Sequence, residues 1–250
     1  MQELIRAVAD RLRDAPRATV LTGAGVSAAS GVPTFRGSEG LWRQFRATDL
    51  ATPEAFARDP RLVWEWYAWR RARVAACEPN AAHAVLAAWT QQRDGWRLVT
   101  QNVDDLHHRA GSRGVIRLHG SLWELACWNG CAAAAPSWRD ERVPLPDMPP
   151  RCPACGGLAR AAVVWFGEPL PPTAIAQAID AAASCDVFLT VGTSSVVYPA
   201  AGLVDMARAH GAFVVEINPE ATPASATVDV SIRGGAEAVL PAIARALGGG

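Results

Sequence analysis

The sequence predicts an α/β fold: a Rossmann-like doubly wound parallel sheet carrying a smaller inserted module, and three observations lead there. An apolar run from Arg17 to Thr22 feeds directly into Gly23-Ala24-Gly25. A glycine-rich turn placed straight after a strand is where such a sheet receives a phosphate-bearing ligand. From Val163 onward, short apolar runs alternate with stretches of helical periodicity, the signature of strand–helix–strand units. Between these two regions, Ser121 to about Arg160 loses all periodicity and holds four paired cysteines and a proline cluster from Pro144 to Pro153.

The elements follow in order. Met1 to Asp14 alternates charged and apolar residues at helical spacing, and the first strand covers Arg17 to Thr22. Residues 40–94 read as mainly helical, with Pro53 and Pro60 near helix starts. Strands are predicted at Trp96–Thr100, Val115–Leu118, Val163–Phe166, Val187–Val191, Phe213–Ile217 and Val228–Ile232. Helices are predicted at Pro172–Ala183, Ala200–His210 and Ala236–Leu247. The chain therefore divides into a sheet-forming core (15–39, 95–120 and 161–247), a helical insertion (40–94) and a module at 121–160 with no hydrophobic core of its own.

The 250 residues suit one large domain with a small insertion, and half of them are hydrophobic. Basic and acidic residues balance at 24 each, which leaves no electrostatic footprint for nucleic acid or an anionic membrane. Lysine is absent, and this arginine and alanine bias points to a bacterial source. No segment approaches the ~20 apolar residues that span a bilayer, and the N-terminus has no signal-peptide core. A cytoplasmic location is expected.

Four of the six cysteines are spaced Cys127-x3-Cys131 and Cys152-x2-Cys155. Paired cysteines in a reducing compartment favour metal over disulfide. Four thiolates on tight turns make a closed tetrahedral zinc site, which holds structure and does no chemistry. Cys77 and Cys185 stand alone and read as core thiols.

The turn Gly23-Ala24-Gly25-Val26-Ser27-Ala28 fits a loose dinucleotide fingerprint. A dehydrogenase would add a second strand ending in an acidic residue about 20 positions later. Here Gly40-Leu41-Trp42-Arg43 occupies that place, and the next good strand ends near Gln101. The sequence thus predicts a bound dinucleotide without ordinary hydride transfer. Ser30-Gly31-Val32-Pro33-Thr34-Phe35-Arg36-Gly37 forms a stiff loop ending in an arginine suited to a phosphate or ribose. Gln101-Asn102-Val103-Asp104 ends one strand and His119-Gly120 another, at the strand ends that face a ligand crevice.

Taken in this order, with a four-cysteine insert after the histidine, these motifs resemble the sirtuin family, from about residue 17 to 241. Val163-Val164-Trp165-Phe166-Gly167-Glu168, Gly192-Thr193-Ser194-Ser195, Asn218-Pro219-Glu220 and Gly235-Ala236 fit as well. The resemblance implies a NAD-dependent protein-lysine deacylase of bacterial type. Gly23, Ala24 and Gly25 would cradle the pyrophosphate and Phe35 and Arg36 would lie on a mobile loop over the nicotinamide end, with Ser27, Thr34 and Trp42 also counted as cofactor-binding. Asn102 and Asp104 would shape the nicotinamide pocket and are counted with His119 as catalytic, with Gln101 and Val103 beside them also counted as cofactor-binding. Gly192, Thr193 and Ser194 would meet phosphate and ribose, Asn218, Pro219 and Glu220 the adenosine ribose, and Ala236 the adenine.

The implied chemistry is attack of the acyl oxygen on the ribose C1′ as nicotinamide leaves. His119 is the base on the ribose hydroxyls, and an imidazole suits that task; by itself the residue would sooner read as a packed core histidine, and its place after a strand beside the cysteine module reverses that reading. Water then completes release of lysine and O-acyl-ADP-ribose. His107, at a helix start, reads as structural. Acylated protein lysines would bind as extended peptides between Phe166-Gly167-Glu168 and Ser194 to Tyr198, with Val164 and Val196 lining the path. No membrane or nucleic-acid partner is expected.

Two features point to the acidic-acyl branch. Thr34 stands where the family's usual loop has aspartate. Tyr67 and Arg70, three apart on a predicted helix, share one face. A guanidinium grips a carboxylate with two prongs while a phenol donates a further bond. The pair resembles the Tyr-x-x-Arg signature of sirtuins that remove succinyl and malonyl groups. The other readings are plain deacetylation, mono-ADP-ribosyl transfer to protein, and a non-catalytic module that binds NAD and zinc.

Overall fold

The computed structural model describes residues 1–33, 41–42 (backbone only) and 45–248. Helix α1 (Gln2–Asp14) leads into β1 (Ala18–Thr22) and a 3-10 helix at Ala24–Ser30. A two-residue hairpin, β2 (Leu41–Trp42) with β3 (Phe45–Arg46), opens the region expected to be helical, and α2 (Ala47–Leu50), α3 (Pro53–Arg58), α4 (Pro60–Ala75) and α5 (Ala81–Gln92) fill it. Pro53 and Pro60 sit at the first turns of α3 and α4, where a missing N–H costs nothing. Thr52 Oγ1 accepts from Ala55 N at 3.1 Å and Asp59 Oδ1 from Leu62 N at 2.9 Å, capping both helices.

After β4 (Trp96–Thr100), α6 (Leu106–Arg109) and β5 (Ile116–Arg117) come the strands of the cysteine region: β6 (Gly120–Cys127), β7 (Trp138–Arg139) and β8 (Ala159–Val163). The chain ends with α7 (Pro172–Ser184), β9 (Val187–Val191), α8 (Gly202–Ala209), β10 (Phe213–Ile217), β11 (Val230–Ile232) and α9 (Ala236–Gly248).

The main sheet is parallel throughout, in the order β11-β10-β9-β1-β4-β5. Strands β1 and β9 are buried at every residue, because helices cover both faces of an all-parallel sheet. Alternation sorts their side chains between two cores. Val20, Leu189 and Val191 pack toward α1, α5 and α9, with Leu12, Leu86 and Leu240. Leu21 and Phe188 pack toward α7 and α8, with Ala178 and Leu203. The chain direction across the sheet reverses between β1 and β9. In doubly wound sheets that switch point opens a crevice at the carboxyl ends of the strands.

A third core lies apart from the sheet. Phe56, Trp64 and Tyr67 from α3 and α4 pack on Leu122, Leu125 and Val163 from the antiparallel sheet β7-β6-β8. Trp64 Nε1 donates to Ala159 O at 2.8 Å, and the buried Arg71 pairs with Asp140 at 3.1 Å. The cysteine segment thus gains its apolar interior from the helical one. The expected strand Val163–Phe166 is corrected here: the strand is Ala159–Val163, and it pairs antiparallel with β6 instead of joining the main sheet. Its small residues, Ala-Arg-Ala-Ala-Val, lack the bulk that marks a strand, whereas the bulkier Trp165 and Phe166 follow it.

Candidate functional site

The crevice is closed at its base by backbone. Gly23 N donates to Val191 O at 3.0 Å and Gly25 N to Gly192 O at 2.8 Å. A Cβ on Gly25 would lie 2.7 Å from Gly192 Cα, and one on Gly192 would lie 2.5 Å from Val26 N. Gly192 also has φ +61°, which glycine adopts freely. Side chains are excluded at both positions, so the turns after β1 and β9 meet as bare backbone. Ala24 opens the 3-10 helix that leaves this turn. Thr193 Oγ1 accepts from Gln101 Nε2 at 3.0 Å and so ties the β9 turn to the end of β4, while Ser194 is half-buried beside it.

A buried polar cluster forms the floor. Ser27 Oγ donates to Asp104 Oδ2 at 2.8 Å and accepts from Asn102 Nδ2 at 3.2 Å. His83 Nε2 stands 3.3 Å from the same hydroxyl, and His83 Nδ1 accepts from Asn80 N at 3.2 Å. The second contact places the ring proton on Nε2. Ser27 is thus turned inward, holding Asp104 and Asn102 in place. Asp104 is buried, and burial is the main influence raising its pKa; the Leu106 backbone N–H and Ser27 oppose it. Val103 accepts Leu122 N through its carbonyl at 2.9 Å.

His107 Nε2 lies 2.9 Å from Thr22 Oγ1, and its ring is 4.9 Å from that of His83. Burial holds His83 at about 4 and, with His83 nearby, His107 at about 3. His83 is a part of this cluster that sequence reasoning missed. The signal available was Asn80-x2-His83 at the start of α5.

His119 follows β5 and is half-buried. Its Nδ1 lies 2.8 Å from Gln101 O, so Nδ1 carries the proton and Nε2 keeps its lone pair. Burial lowers its pKa, and the Gln101 bond works against that shift. At the other end of the crevice, Asn218 Nδ2 donates to Glu220 O at 2.8 Å, Pro219 is exposed, and Ala236 is buried at the start of α9. Glu216, also missed, anchors this loop: it accepts from Thr222 Oγ1, from Ser225 Oγ at 2.5 Å, from Ser231 Oγ at 2.7 Å and from Arg233 Nη1 at 3.1 Å.

On α4, Tyr67 is 2 % exposed, and burial raises its phenol to about 12. Arg70 stacks over the Trp66 ring at 5.0 Å. Burial lowers the Arg70 pKa, against the influence of Tyr67 and Asp104. The Asp104 carboxylate and the Tyr67–Arg70 pair therefore influence one another electrostatically. Val164 is half-buried and Gly167 exposed. Phe166, Val196, Val197 and Tyr198 are large apolar residues left exposed on the two segments named for the peptide. Thr34, Phe35, Arg36 and the side chain of Trp42 lie outside the described residues.

The thiols of Cys127, Cys131, Cys152 and Cys155 all lie within 4.8 Å of one another. Sγ–Sγ separations are 3.7 Å for Cys127–Cys155 and 3.8 Å for Cys131–Cys152. These are far beyond a disulfide bond. A tetrahedron with zinc–sulfur bonds of about 2.3 Å has edges of roughly 3.8 Å, so the donor set fits a closed zinc site. Gly130 and Gly156, both at positive φ, make the tight turns beside the two pairs.

A Rossmann sheet with bare-backbone turns at its switch point and a four-thiolate module defines a dinucleotide-binding protein with a structural metal. The chain belongs to the Sir2 family, whose pattern matches residues 23–199. It is 50% identical over 252 residues to NAD-dependent protein deacylase 1 of Pseudomonas aeruginosa, covering 96% of this chain and 98% of the relative. Among solved structures, a Sir2 homologue in complex with NAD superposes with a TM-score of 0.90 at 43% identity, covering 97% of this chain and 94% of the other. A Sir2 protein bound to a myristoylated histone peptide superposes with a TM-score of 0.78 at 34% identity, covering 99% and 97%.

Two outcomes are expected. Purified protein carries a single zinc ion, and Cys152→Ser releases it; a colorimetric zinc assay finding metal retained in that variant contradicts the four-thiolate site. The buried pair His83 and His107 gives a pH test. Each has a native pKa below the ordinary 6.5, so below pH 6.5 the unfolded chain binds protons that the native chain does not. Stability therefore falls as pH drops from 6.5 toward the native values. At pH 5.5 each histidine has removed about 1.4 kcal/mol. Urea unfolding of wild type and His107→Gln at pH 7 and 5.5 reads this, and the variant loses less than wild type between the two. Equal losses contradict the assignment.

Proposed function

We propose that this chain is a NAD-dependent protein-lysine deacylase that favours succinyl and malonyl groups over acetyl. The observation that carries the preference is the placement of Tyr67 and Arg70 on one turn of α4, where Tyr67 is part of the third core and the half-buried Arg70 feels the charge of Asp104. A guanidinium partly withdrawn from water gains from a negative charge brought beside it. An acyl group ending in a carboxylate supplies the opposite charge at that point, and the Tyr67 phenol supplies a hydrogen bond to it. An acetyl group offers neither contact.

NAD fits the crevice as the acyl acceptor, its nicotinamide–ribose bond supplying the leaving group. Gly23, Gly25 and Gly192 give its phosphates access to bare backbone, and the turns around Ala24 and Thr193 present N–H groups. Asn218 and Glu220 lie where a ribose would meet the end of β10. Asn102 and Asp104, held by Ser27, border the nicotinamide end. His119, with Nδ1 fixed by Gln101 O, turns Nε2 toward the crevice as a base for a ribose hydroxyl. Its lowered pKa keeps the ring neutral at neutral pH. The acylated lysine enters as an extended segment along the exposed Phe166 and Val196–Tyr198, where main-chain hydrogen bonds supply affinity. The relatives named as NAD-dependent protein deacylases, and the neighbour solved with an acylated histone peptide, support this reading.

Matched succinyl- and acetyl-lysine peptides test the preference. Wild type has the larger kcat/KM on the succinyl peptide, and Arg70→Ala lowers that value about 10- to 100-fold, the range for losing a hydrogen-bonded charge. Acetyl turnover falls far less. An equal loss on both peptides contradicts the assignment.

A further inference from the structure

The Tyr67 phenol has a partner that neither the family motifs nor helical spacing reveals. Trp165, 98 residues further along the chain, donates its indole Nε1–H to Tyr67 Oη at 2.7 Å. Both side chains are essentially sealed from water, at 1% and 2% exposure. A phenol has one proton and accepts through its oxygen. With the oxygen accepting from Trp165, the proton on Tyr67 must be given elsewhere, and Trp165, a donor only, cannot take it. The indole therefore sets the direction of the phenol's own donation.

Trp165 is itself firmly held. Its ring lies 5.4 Å from Phe56 and 6.1 Å from Trp128. The Arg160 guanidinium sits 3.4 Å over the ring, where a cation draws electron density from the indole and makes its N–H a better donor. Arg160 is in turn locked by Glu168 through two bonds of 2.5 and 2.7 Å, and Glu168 also accepts from Trp165 N at 2.8 Å. The segment just after β8 thus delivers a fixed, polarised N–H to the helix that carries the acyl-recognition pair.

We infer that Trp165 is a positioning residue for acyl selectivity: its indole N–H commits the Tyr67 hydroxyl to donate to the acyl carboxylate, without touching the substrate. The inference rests on the succinyl and malonyl preference proposed above. An acetyl group presents no carboxylate to receive that proton, so the effect falls on the ratio of the two activities.

The test measures the succinyl-to-acetyl ratio of kcat/KM in wild type, Trp165→Phe, Tyr67→Phe and the double variant. The ratio is independent of the fraction of enzyme that folds. Because Trp165→Phe removes a buried ring, a second version replaces Trp165 with 3-benzothienyl-alanine, in which sulfur stands for the N–H at nearly unchanged volume. Both changes at 165 lower the ratio about fivefold, the scale of one oriented hydrogen bond, mainly through KM for the succinyl peptide. The double variant is no less selective than Tyr67→Phe, since Trp165 acts only through the phenol. A ratio unchanged by the benzothienyl replacement, or lowered further in the double variant, overturns the inference while leaving the acyl preference intact. A wild-type ratio of one or less overturns the preference itself.

Discussion

The rest of the structure is organised around the approach of two turns. Where β1 and β9 end, Gly25 and Gly192 touch backbone to backbone, at a distance no side chain permits. Because the order of strands reverses there, that contact closes the base of a crevice where the two turns meet as bare backbone. A phosphate-bearing ligand can then approach the main chain closely. The residues assigned to its two ends leave the neighbouring strands: Asn102 and Asp104 after β4, Asn218 and Glu220 after β10. The sheet order therefore decides which residues can face one ligand, although 116 positions separate Asn102 from Asn218.

The second organising feature is the third core, which the helical insertion and the cysteine module build jointly. Neither part holds enough apolar surface alone, and four thiolates fix loops that hydrophobic packing cannot. Their union sets α4 against β8, and that apposition brings Tyr67 to Trp165 and Arg70 to the side of Asp104. The proposed acyl-recognition pair and the polar cluster around Asp104 are thereby linked through packing. Zinc acts on chemistry only by holding this frame.

Much of this was legible in the sequence where the physics is local. Strands β4, β9 and β10 match their predicted spans because each is a short, mostly apolar run bounded by breaks in the pattern. The cysteine pairs and glycine turns announce themselves by spacing. What was not legible depends on distance along the chain or on small residues. Strand β8 is mostly alanine, so the neighbouring aromatics drew the strand to the wrong place. Strand β6 carries Leu122 and Leu125 across a break in its register, so it lacks a clean two-residue alternation, and the prolines and cysteines that follow obscure it further. His83 belongs to the site through Ser27, 56 residues earlier. Glu216 matters through hydroxyls on the following loop and strand, and Trp165 through a phenol on a helix far upstream. No local pattern marks such residues, because their roles exist only after the strands are in order.

The central claim is that the crevice spends NAD only when an acylated lysine is in place. Nicotinamide release and peptide deacylation, followed together on zinc-loaded protein with a succinyl-lysine peptide, measure this directly. The account predicts one nicotinamide for each acyl group removed and negligible release without peptide. Deacylation without nicotinamide release, or release indifferent to the peptide, contradicts it.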